Sequence, residues 1–258
     1  MNERPLILVT NDDGVNAPGI RALAAVLRDL GTVEVVAPHR EMSACSQSLT
    51  LERPVRVETL APGIHAVDGT PADCVNLAVI KLLPQHPALV VSGINSGANL
   101  GDDVFYSGTV GGAREATFFG LPALAVSLAA RNETDFSQAA AFAARLARVV
   151  LEKGMPEHTL LNVNVPPGKL NGFAWTVQGR REHEGTVLEG LDPRRKTYYW
   201  IEEGRDKWVS DELADIHAVR NGLVSITPLH NDMTHHAVIP AFKAWEALLG
   251  ERTAAVNR

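Results

Sequence analysis

Short apolar runs alternate with amphipathic segments over roughly the first 165 residues, and this alternation limits the possible folds more than any other feature of the chain. Five runs are apolar enough to be strands buried on both faces. They are Pro5 to Thr10, Val33 to Ala37, Ala88 to Ser92, Pro122 to Leu128 and Leu160 to Val165. Helical spacing separates them, as in Ile20, Leu23 and Leu27. The alternation predicts an α/β fold with a Rossmann-like, doubly wound and mainly parallel sheet.

The pattern weakens after Pro166-Pro167. Short β-like pieces between charged loops follow from Gly172 to Leu229, and an amphipathic segment runs from Ile239 to Leu249. We therefore expect a catalytic core over residues 1–165 and a β-rich C-terminal extension over residues 166–258. The extension should carry a β-hairpin and a terminal helix and serve oligomerisation, without being an independent domain. Within the core, residues 48–67 favour short antiparallel strands.

Composition excludes several classes of protein. Apolar residues make up 45% and charged residues 21% of the chain, as in an ordinary globular protein. The net charge of −6 argues against a nucleic-acid-binding surface, which would gather Lys and Arg. We see neither a run of about 20 apolar residues nor a signal-peptide pattern. We therefore expect a cytoplasmic location and no membrane partner. The two cysteines are expected to be small buried thiols without a functional role.

Polar residues follow the predicted strands where a parallel sheet places its ligand crevice. Asp12 and Asp13 follow the first strand, a loop containing Ser43 follows the second, and Asn95 to Asn99 follow the third. Two adjacent carboxylates repel each other unless a positive charge lies between them, and hard oxygen ligands suit Mg²⁺ or Mn²⁺. We therefore expect one divalent cation here. The alternative is that Asp-Asp-Gly is only a turn.

A glycine-rich segment leads into a predicted helix and is the candidate phosphate site. Residues 93–112 contain six glycines, which allow a backbone to approach a ligand closely. The first free N–H groups of a helix bind anions, so Ser107, Gly108 and Thr109 are assigned to phosphate, with Asn99 as an additional donor. An ordinary Ser or Thr N-cap is the alternative, and the two roles are compatible. Asp102 and Asp103 are left outside the metal shell as loop-orienting residues.

With these motifs the chain resembles the SurE family of nucleotidases. The resemblance rests on four motifs and spans nearly the whole chain. They are ILVTNDDG at 7–14, Ser43 followed by SLTL at 48–51, GINSGANLGDDVFYSGTVGGAREA at 93–116 and VSITPL at 224–229. The glycine-rich string is the most specific of these, because many fixed spacings occur in it together.

The resemblance implies a divalent cation held by Asp12, Asp13, Ser43 and Asn95, positions that match those found at the strand ends. It also implies hydrolysis of nucleoside 5′- and 3′-monophosphates, and a homodimer or homotetramer built partly by exchanging C-terminal extensions. Two departures stand out. Ala44 lies where glycine is common, and Gly111-Gly112 lies where small alanines are more usual.

The expected mechanism is in-line attack on phosphorus, with Asp12 or Asp13 accepting a proton besides binding the metal. Whether water or an aspartate is the nucleophile stays open, as do base preference and activity on polyphosphate. A dinucleotide-dependent oxidoreductase would need Gly-x-Gly-x-x-Gly where Asn11 to Gly14 stands. A signalling receiver would need an aspartate where Asn95 lies, and a haloacid-dehalogenase-type phosphatase would need two aspartates one residue apart. A non-catalytic nucleotide-binding or stress-related interaction protein is the remaining alternative.

Overall fold

The computed structural model describes residues 4–130, 134–182, 186–202, 207–208, 211–243 and 245–249. Strands and helices alternate through the first 165 residues, as the sequence predicts. The elements are β1 (Leu6–Thr10), α1 (Pro18–Leu27), β2 (Thr32–Pro38), β3 (Val57–Ala61), β4 (Ile64–Val67), α2 (Pro71–Leu77), β5 (Leu89–Ser96), α3 (Gly108–Phe118), β6 (Ala123–Leu128), α4 (Ser137–Lys153) and β7 (Thr159–Val165).

The later residues form shorter elements. They are β8 (Phe173–Trp175), β9 (Arg181–Glu182), β10 (Thr186–Leu191), β11 (Thr197–Glu202), β12 (Lys207–Trp208), α5 (Asp215–Arg220), β13 (Val224–His230), α6 (Ile239–Lys243) and α7 (Glu246–Leu249). Strands β10 and β11 form an antiparallel hairpin, and β9 pairs with β12. Within the described part of the chain, no helix is both long enough and apolar enough to cross a membrane.

Nine strands form one sheet in the order β3-β4-β2-β1-β5-β6-β7-β13-β8. The six strands from β4 to β7 in this order run parallel, while β3 and β13 join in antiparallel pairs. The chain leaves β1 towards β2 on one side and later returns to β5 on the other. This reversal creates a crevice beyond the C-terminal ends of β1 and β5, where such sheets bind ligands. The predicted fold class is confirmed.

Helices cover both faces of the sheet, and each buries apolar side chains against it. Helix α1 begins with Pro18 in its first turn and buries Ile20, Leu23 and Leu27. It packs beside α4 on one face, while α2 and α3 cover the other. Each fully buried leucine or isoleucine contributes about 1.5–3 kcal/mol relative to its exposed state, so these side chains hold the helices on the sheet.

One sequence expectation, the antiparallel strands over residues 48–67, is met only in part. The segment at 48–51 is not a strand, because the Asp73 carboxylate accepts hydrogen bonds from the Thr50 N–H at 2.8 Å and from its hydroxyl at 2.6 Å. The antiparallel strands expected from 48–67 are confined to β3 and β4. The main sheet also continues beyond residue 165, since β13 pairs with β7 and β8 pairs with β13. The division at residue 165 therefore runs through one sheet, and separate roles for the two parts stay a prediction.

Candidate functional site

A polar cleft of about 710 Å³ opens at the C-terminal ends of β1 and β5. Residues from five regions of the chain line it: the loop between β1 and α1, the loop after β2, the end of β5 with its following loop, the start of α3, and Phe136 just before α4. Those with oxygen-bearing side chains are Asp12, Asp13, Glu41, Ser43, Asn95, Ser96, Asn99, Asp103, Tyr106 and Ser107. The crevice predicted from the strand order is thus the most oxygen-rich cleft described here.

Asp12 lies at the floor of the cleft with only 5% of its surface exposed. The Thr109 hydroxyl donates to Asp12 Oδ1, and the Asp12 carbonyl accepts a hydrogen bond from Met42 N–H at 2.7 Å. Burial raises the pKa of Asp12 to about 6; the Thr109 hydrogen bond opposes this shift and the Asp13 charge adds to it. The fold therefore holds a carboxylate where its negative charge is poorly solvated, which favours a cation beside it.

Asp13 is more open and is held from the other side of the cleft. Its Oδ2 accepts a hydrogen bond from Ser96 N–H at 3.1 Å, which ties the end of β1 to the end of β5. Burial raises the pKa of Asp13 as well; the Ser96 N–H opposes the shift, and the Glu41 carboxylate adds to it. Burial thus disfavours the charged form of both neighbouring carboxyl groups.

Ser43 and Asn95 line the same cleft as the two aspartates. Ser43 Oγ donates to Glu41 Oε1 at 2.6 Å, so the lone pairs of the hydroxyl oxygen stay available to a ligand. Asn95 Nδ2 donates to the Gly97 carbonyl at 2.9 Å, which fixes the amide and leaves Oδ1 for another contact. The structure therefore brings together the four residues predicted as metal ligands; their role as ligands stays a prediction.

Of the three residues assigned to phosphate, Ser107 lines the cleft. Its Oγ accepts a hydrogen bond from Val110 N–H at 3.0 Å and caps α3, so the N-cap interpretation is confirmed, while contact with phosphate stays a prediction. Thr109 is fully buried and its hydroxyl is committed to Asp12. A Cβ on Gly108 would lie 2.7 Å from Cys45 Sγ and 2.8 Å from Asp12 Cβ, so this position needs glycine. Direct contact of Gly108 or Thr109 with phosphate stays a prediction.

Asn99 lines the cleft, but several of its hydrogen-bonding groups already bond to residues of the sheet. Its Nδ2 donates to Ser127 Oγ at 2.8 Å, and its N–H donates to Asn164 Oδ1 at 2.8 Å. Its carbonyl accepts from Asn162 Nδ2 at 2.8 Å and from Asn164 Nδ2 at 3.0 Å. Asn162 and Asn164 of β7, together with Ser127 of β6, therefore fix the loop after β5, which leaves Asn99 one side-chain N–H for a ligand.

The sequence prediction gives no role in the cleft to four residues that line it, Glu41, Asp103, Tyr106 and Phe136, and takes Asp103 as a loop-orienting residue. Glu41 could have been found, because it is an acid in a loop that follows a parallel strand. Phe136 precedes α4 and carries no such signal. Four carboxylates line the cleft, from Asp12, Asp13, Glu41 and Asp103, and its lining as described includes neither Lys nor Arg. An anionic ligand would need a cation with it to enter.

Among the residues that the structure describes, a ligand set made only of His, Cys, Asp and Glu is not found. No group of three or more of these residues in the described ranges is placed to hold a metal ion. Two carboxylates completed by a hydroxyl and an amide oxygen form a hard-oxygen set, which fits Mg²⁺ or Mn²⁺ and not a thiophilic metal. The donors present therefore fit the expected cation only if Ser43 and Asn95 take part.

The doubly wound sheet and the acidic cleft at its strand reversal define a Rossmann-like α/β protein with a site suited to a cation and an anion together. The family model described as "Survival protein SurE" matches residues 7–185. The chain belongs to the SurE family, as the sequence resemblance implied.

Known proteins of this family align over almost their whole length. The 5′-nucleotidase SurE of Geobacter metallireducens is 54% identical over 244 residues, covering 93% of this chain and 97% of the relative. The 5′-nucleotidase SurE of Geobacter sulfurreducens is 52% identical over 244 residues and 93% of each chain. The crystal structure of the SurE protein from Aquifex aeolicus gives a TM-score of 0.84 at 42% identity, covering 94% of this chain and 100% of that one.

Proposed function

We propose that this protein is a divalent-metal-dependent phosphatase that hydrolyses nucleoside 5′-monophosphates, and 3′-monophosphates too, to nucleoside and phosphate. Its place in the SurE family supports this, because the two Geobacter relatives are named 5′-nucleotidases. The observation that carries the proposal is the pairing of an acidic floor, formed by Asp12 and Asp13, with the N-terminus of α3 in one cleft. A cation and a phosphate are the complementary ligands for those two features.

The expected cofactor is one Mg²⁺ or Mn²⁺ ion. Asp12, Asp13, Ser43 and Asn95 would hold it, because they line one cleft and offer hard oxygen donors. The raised pKa values of both aspartates support this assignment, since a cation relieves the poor solvation of their charge. When bound, the ion offsets the negative charge of the phosphate and of an attacking oxygen nucleophile.

The remaining chemistry falls to the chain itself. The Ser107 hydroxyl and the first-turn N–H groups of α3 would face the phosphate oxygens and stabilise charge on them during transfer. The free side-chain N–H of Asn99 adds a donor from the loop after β5. Asp12 or Asp13 would accept the proton of the nucleophile, as a carboxylate within hydrogen-bond reach of it can do.

We also propose a homodimer or homotetramer whose contacts include the β10–β11 hairpin. Both faces of this hairpin are apolar and open: Val187 and Ile201 pair on one face and are 61% and 88% exposed. Leu188 and Trp200 pair on the other. A two-stranded hairpin is marginal alone in water, so a second surface should cover it. A cytoplasmic location, with no nucleic-acid or membrane partner, completes the proposal.

The decisive experiment measures phosphate release from 5′-AMP and 3′-AMP with Mn²⁺, with Mg²⁺ and with EDTA. Asp12→Asn is the matched control, because it removes one charge and keeps the shape of the side chain. We expect metal-dependent release by wild type and at least about a 100-fold loss in the variant, since even residues that only support a metal ligand matter at that scale.

The competing function is a non-catalytic nucleotide-binding or interaction protein. It predicts that AMP binds, with or without metal, while phosphate release stays at the level of Asp12→Asn. Equilibrium binding of AMP, measured beside the release assay, separates the two functions. Binding without turnover over all three metal conditions would remove the nucleotidase proposal.

A further inference from the structure

A second cavity of about 670 Å³ lies between α3 and the far edge of the sheet. It shares no lining residue with the acidic cleft. Its walls come from α3, from β8 and its following loop, from β13, and from the segment before α3. The lining residues used below are Phe105, Arg114, Trp175, Gln178, Leu213 and Asp232.

Arg114 brings a positive charge to this cavity that no described residue neutralises. Its Nε is buried and has no hydrogen-bond acceptor in the described structure. Neither an ion pair nor an acceptor for its two terminal nitrogens is found there, although Arg normally reaches several acceptors. Burial lowers the pKa of the guanidinium, in line with a charge held without an anion. An unpaired, half-buried guanidinium is costly, and an anion beside it would remove that cost.

The nearby acids are engaged elsewhere. Asp232 also lines the cavity, but its carboxylate accepts hydrogen bonds from Thr234 N–H at 2.8 Å and from His236 Nε2 at 2.5 Å. Glu115, the next residue on α3, accepts from Gln47 Nε2 at 2.8 Å and from Asn76 Nδ2 at 2.6 Å. The guanidinium of Arg114 is therefore left for a group from outside.

The rest of the cavity is suited to a flat apolar body. Phe105 and Trp175 line it with aromatic rings that are 42% and 58% exposed, and Leu213 adds an aliphatic wall. Aromatic rings bind planar groups by stacking, while a guanidinium binds phosphate with two parallel hydrogen bonds. The combination favours a ligand that carries an aromatic ring and one phosphate.

The cavity and the acidic cleft share one wall, the short segment 101–107. Phe105 faces the second cavity, whereas Asp103, Tyr106 and Ser107 line the acidic cleft. Gln178 Nε2 donates to the carbonyl at the start of this segment, at Gly101, at 3.0 Å. A ligand that moves Phe105 must therefore shift residues of the cleft.

We propose that this cavity is a second binding site, for a small aromatic phosphomonoester such as a nucleoside monophosphate, and that its occupancy alters the acidic cleft. Arg114 binds the phosphate, and Trp175 stacks on the ring. Binding at this site does not depend on the proposed nucleotidase activity; only its effect on the cleft does.

The binding test follows the fluorescence of Trp175 while AMP, adenosine or inorganic phosphate is added in EDTA. AMP should give a saturable change that is absent in Trp175→Phe, which separates this residue from the other tryptophans. Arg114→Met keeps the length and loses the charge, so its Kd for AMP should rise about 10- to 100-fold, the range for a hydrogen bond to a charged group. The Kd of Arg114→Lys for AMP should lie between those of wild type and Arg114→Met. Adenosine, which has no phosphate, should bind weakly to wild type and to each variant.

Three results would overturn the proposal. The change could survive in Trp175→Phe, which would assign it to another site. Arg114→Met could bind AMP as wild type does. The variant could instead change the mass seen by light scattering while AMP binding stays the same, which would make the cavity a contact between copies of the chain. Arg114→Met should melt no lower than wild type, because it removes an unpaired charge.

The effect on the cleft is tested with p-nitrophenyl phosphate as substrate and AMP as inhibitor. Two AMP sites predict inhibition that is partly non-competitive in wild type and purely competitive in Arg114→Met. Purely competitive inhibition in both would remove the coupling. A chain without phosphatase activity would end the proposed function, while the fluorescence result would still decide whether the second site exists.

Discussion

Strand β6 and the β10–β11 hairpin are both rich in apolar residues, yet they bury them differently. All six residues of β6 are buried between the two layers of helices. In the hairpin, large apolar side chains such as Val187, Tyr199 and Ile201 are exposed. Apolar content is therefore a poor guide to the core of this chain, because what matters is whether the chain itself supplies a covering layer. Helices form such layers over the sheet, whereas the large apolar side chains of the hairpin stay exposed.

Removing the hairpin should have the largest effect on this contrast. Replacing residues 186–202 by a short Gly-Ser linker should abolish assembly, since the exposed apolar faces go with it. The main sheet should stay folded because β8 and β13 are kept. A deletion from Phe173 onward would strip both strands and unfold the protein, so it is the less informative variant. Light scattering gives the mass and circular dichroism the fold; an unchanged mass would refute the role of the hairpin.

A matched pair of alanine variants sharpens the comparison. Leu124→Ala in β6 should lower the free energy of unfolding by about 2–5 kcal/mol at any protein concentration, because the cavity lies inside one chain. Ile201→Ala should cost less than about 0.5 kcal/mol in dilute, dissociated protein. Its cost should grow with concentration as partners associate. Urea unfolding at two concentrations measures this; an Ile201→Ala effect independent of concentration would show that the hairpin packs on its own chain.

Ser107→Ala tests whether a residue that caps a buried helix also takes part in catalysis. We expect a loss of phosphatase activity of about 10- to 1000-fold, as for removal of one charge-stabilising donor, with Mn²⁺ affinity nearly unchanged. Thr70→Ala is the control, because it removes the equivalent cap of α2 away from the cleft. Calorimetry and steady-state kinetics supply the readouts. Equal losses in the two variants would mean that Ser107 acts only as a cap.

The pH dependence of stability tests whether burial at the floor of the cleft works against the metal-free fold. Because burial raises the folded-state pKa of Asp12 to about 6, its stabilising contribution is complete below the unfolded-state pKa, near 4, and is lost as the pH rises through 6. Wild type in EDTA should lose on the order of 2–3 kcal/mol relative to Asp12→Asn over that interval. Denaturant unfolding from pH 4 to 7 measures it. A constant difference would show that Asp12 is an ordinary turn residue.

The smallest expected effect concerns Ala44, in the cleft loop. Its φ of 55° is left-handed, a region that costs a residue with a Cβ more than it costs glycine. Ala44→Gly should therefore raise the free energy of unfolding by about 0.5 kcal/mol, whereas Ala98→Gly on the opposite wall should lower it by a similar amount. Thermal melts of the two variants decide. Equal destabilisation would mean that the backbone at Ala44 is not strained.

Much of the sheet could be predicted because its information is local. Continuous apolar runs mark β1, β2, β5, β6 and β7, and Thr-Pro-Ala-Asp at 70–73 is the local pattern of a helix start, where Thr70 and Asp73 form a capping box at α2. The rule that ligands bind beyond the strand ends also predicts that Asp12, Asp13, Ser43 and Asn95 lie around one cleft, and they do.

What escaped prediction depends on residues far apart in the chain. Asn99 bonds to Asn162 and Asn164, and Thr50 bonds to Asp73 in place of a neighbouring strand. No local pattern reports such pairs, because any polar residue of suitable length could serve at either end. The partners of β13 escaped for the same reason: its sequence reads as a strand, but its place between β7 and β8 is set by the whole sheet.

The position of β13 has a consequence for synthesis on the ribosome. Strand β7 emerges with one edge paired to β6, while the strand that closes its other edge lies at Val224–His230. Until those residues leave the exit tunnel, the nascent chain presents an open and largely apolar β edge, the feature through which unfinished proteins pair with their neighbours. The intervening exposed hairpin is made during the same interval. Slow translation between residues 165 and 224 would prolong that hazard, so this stretch of the message is where codon choice should matter most for soluble yield.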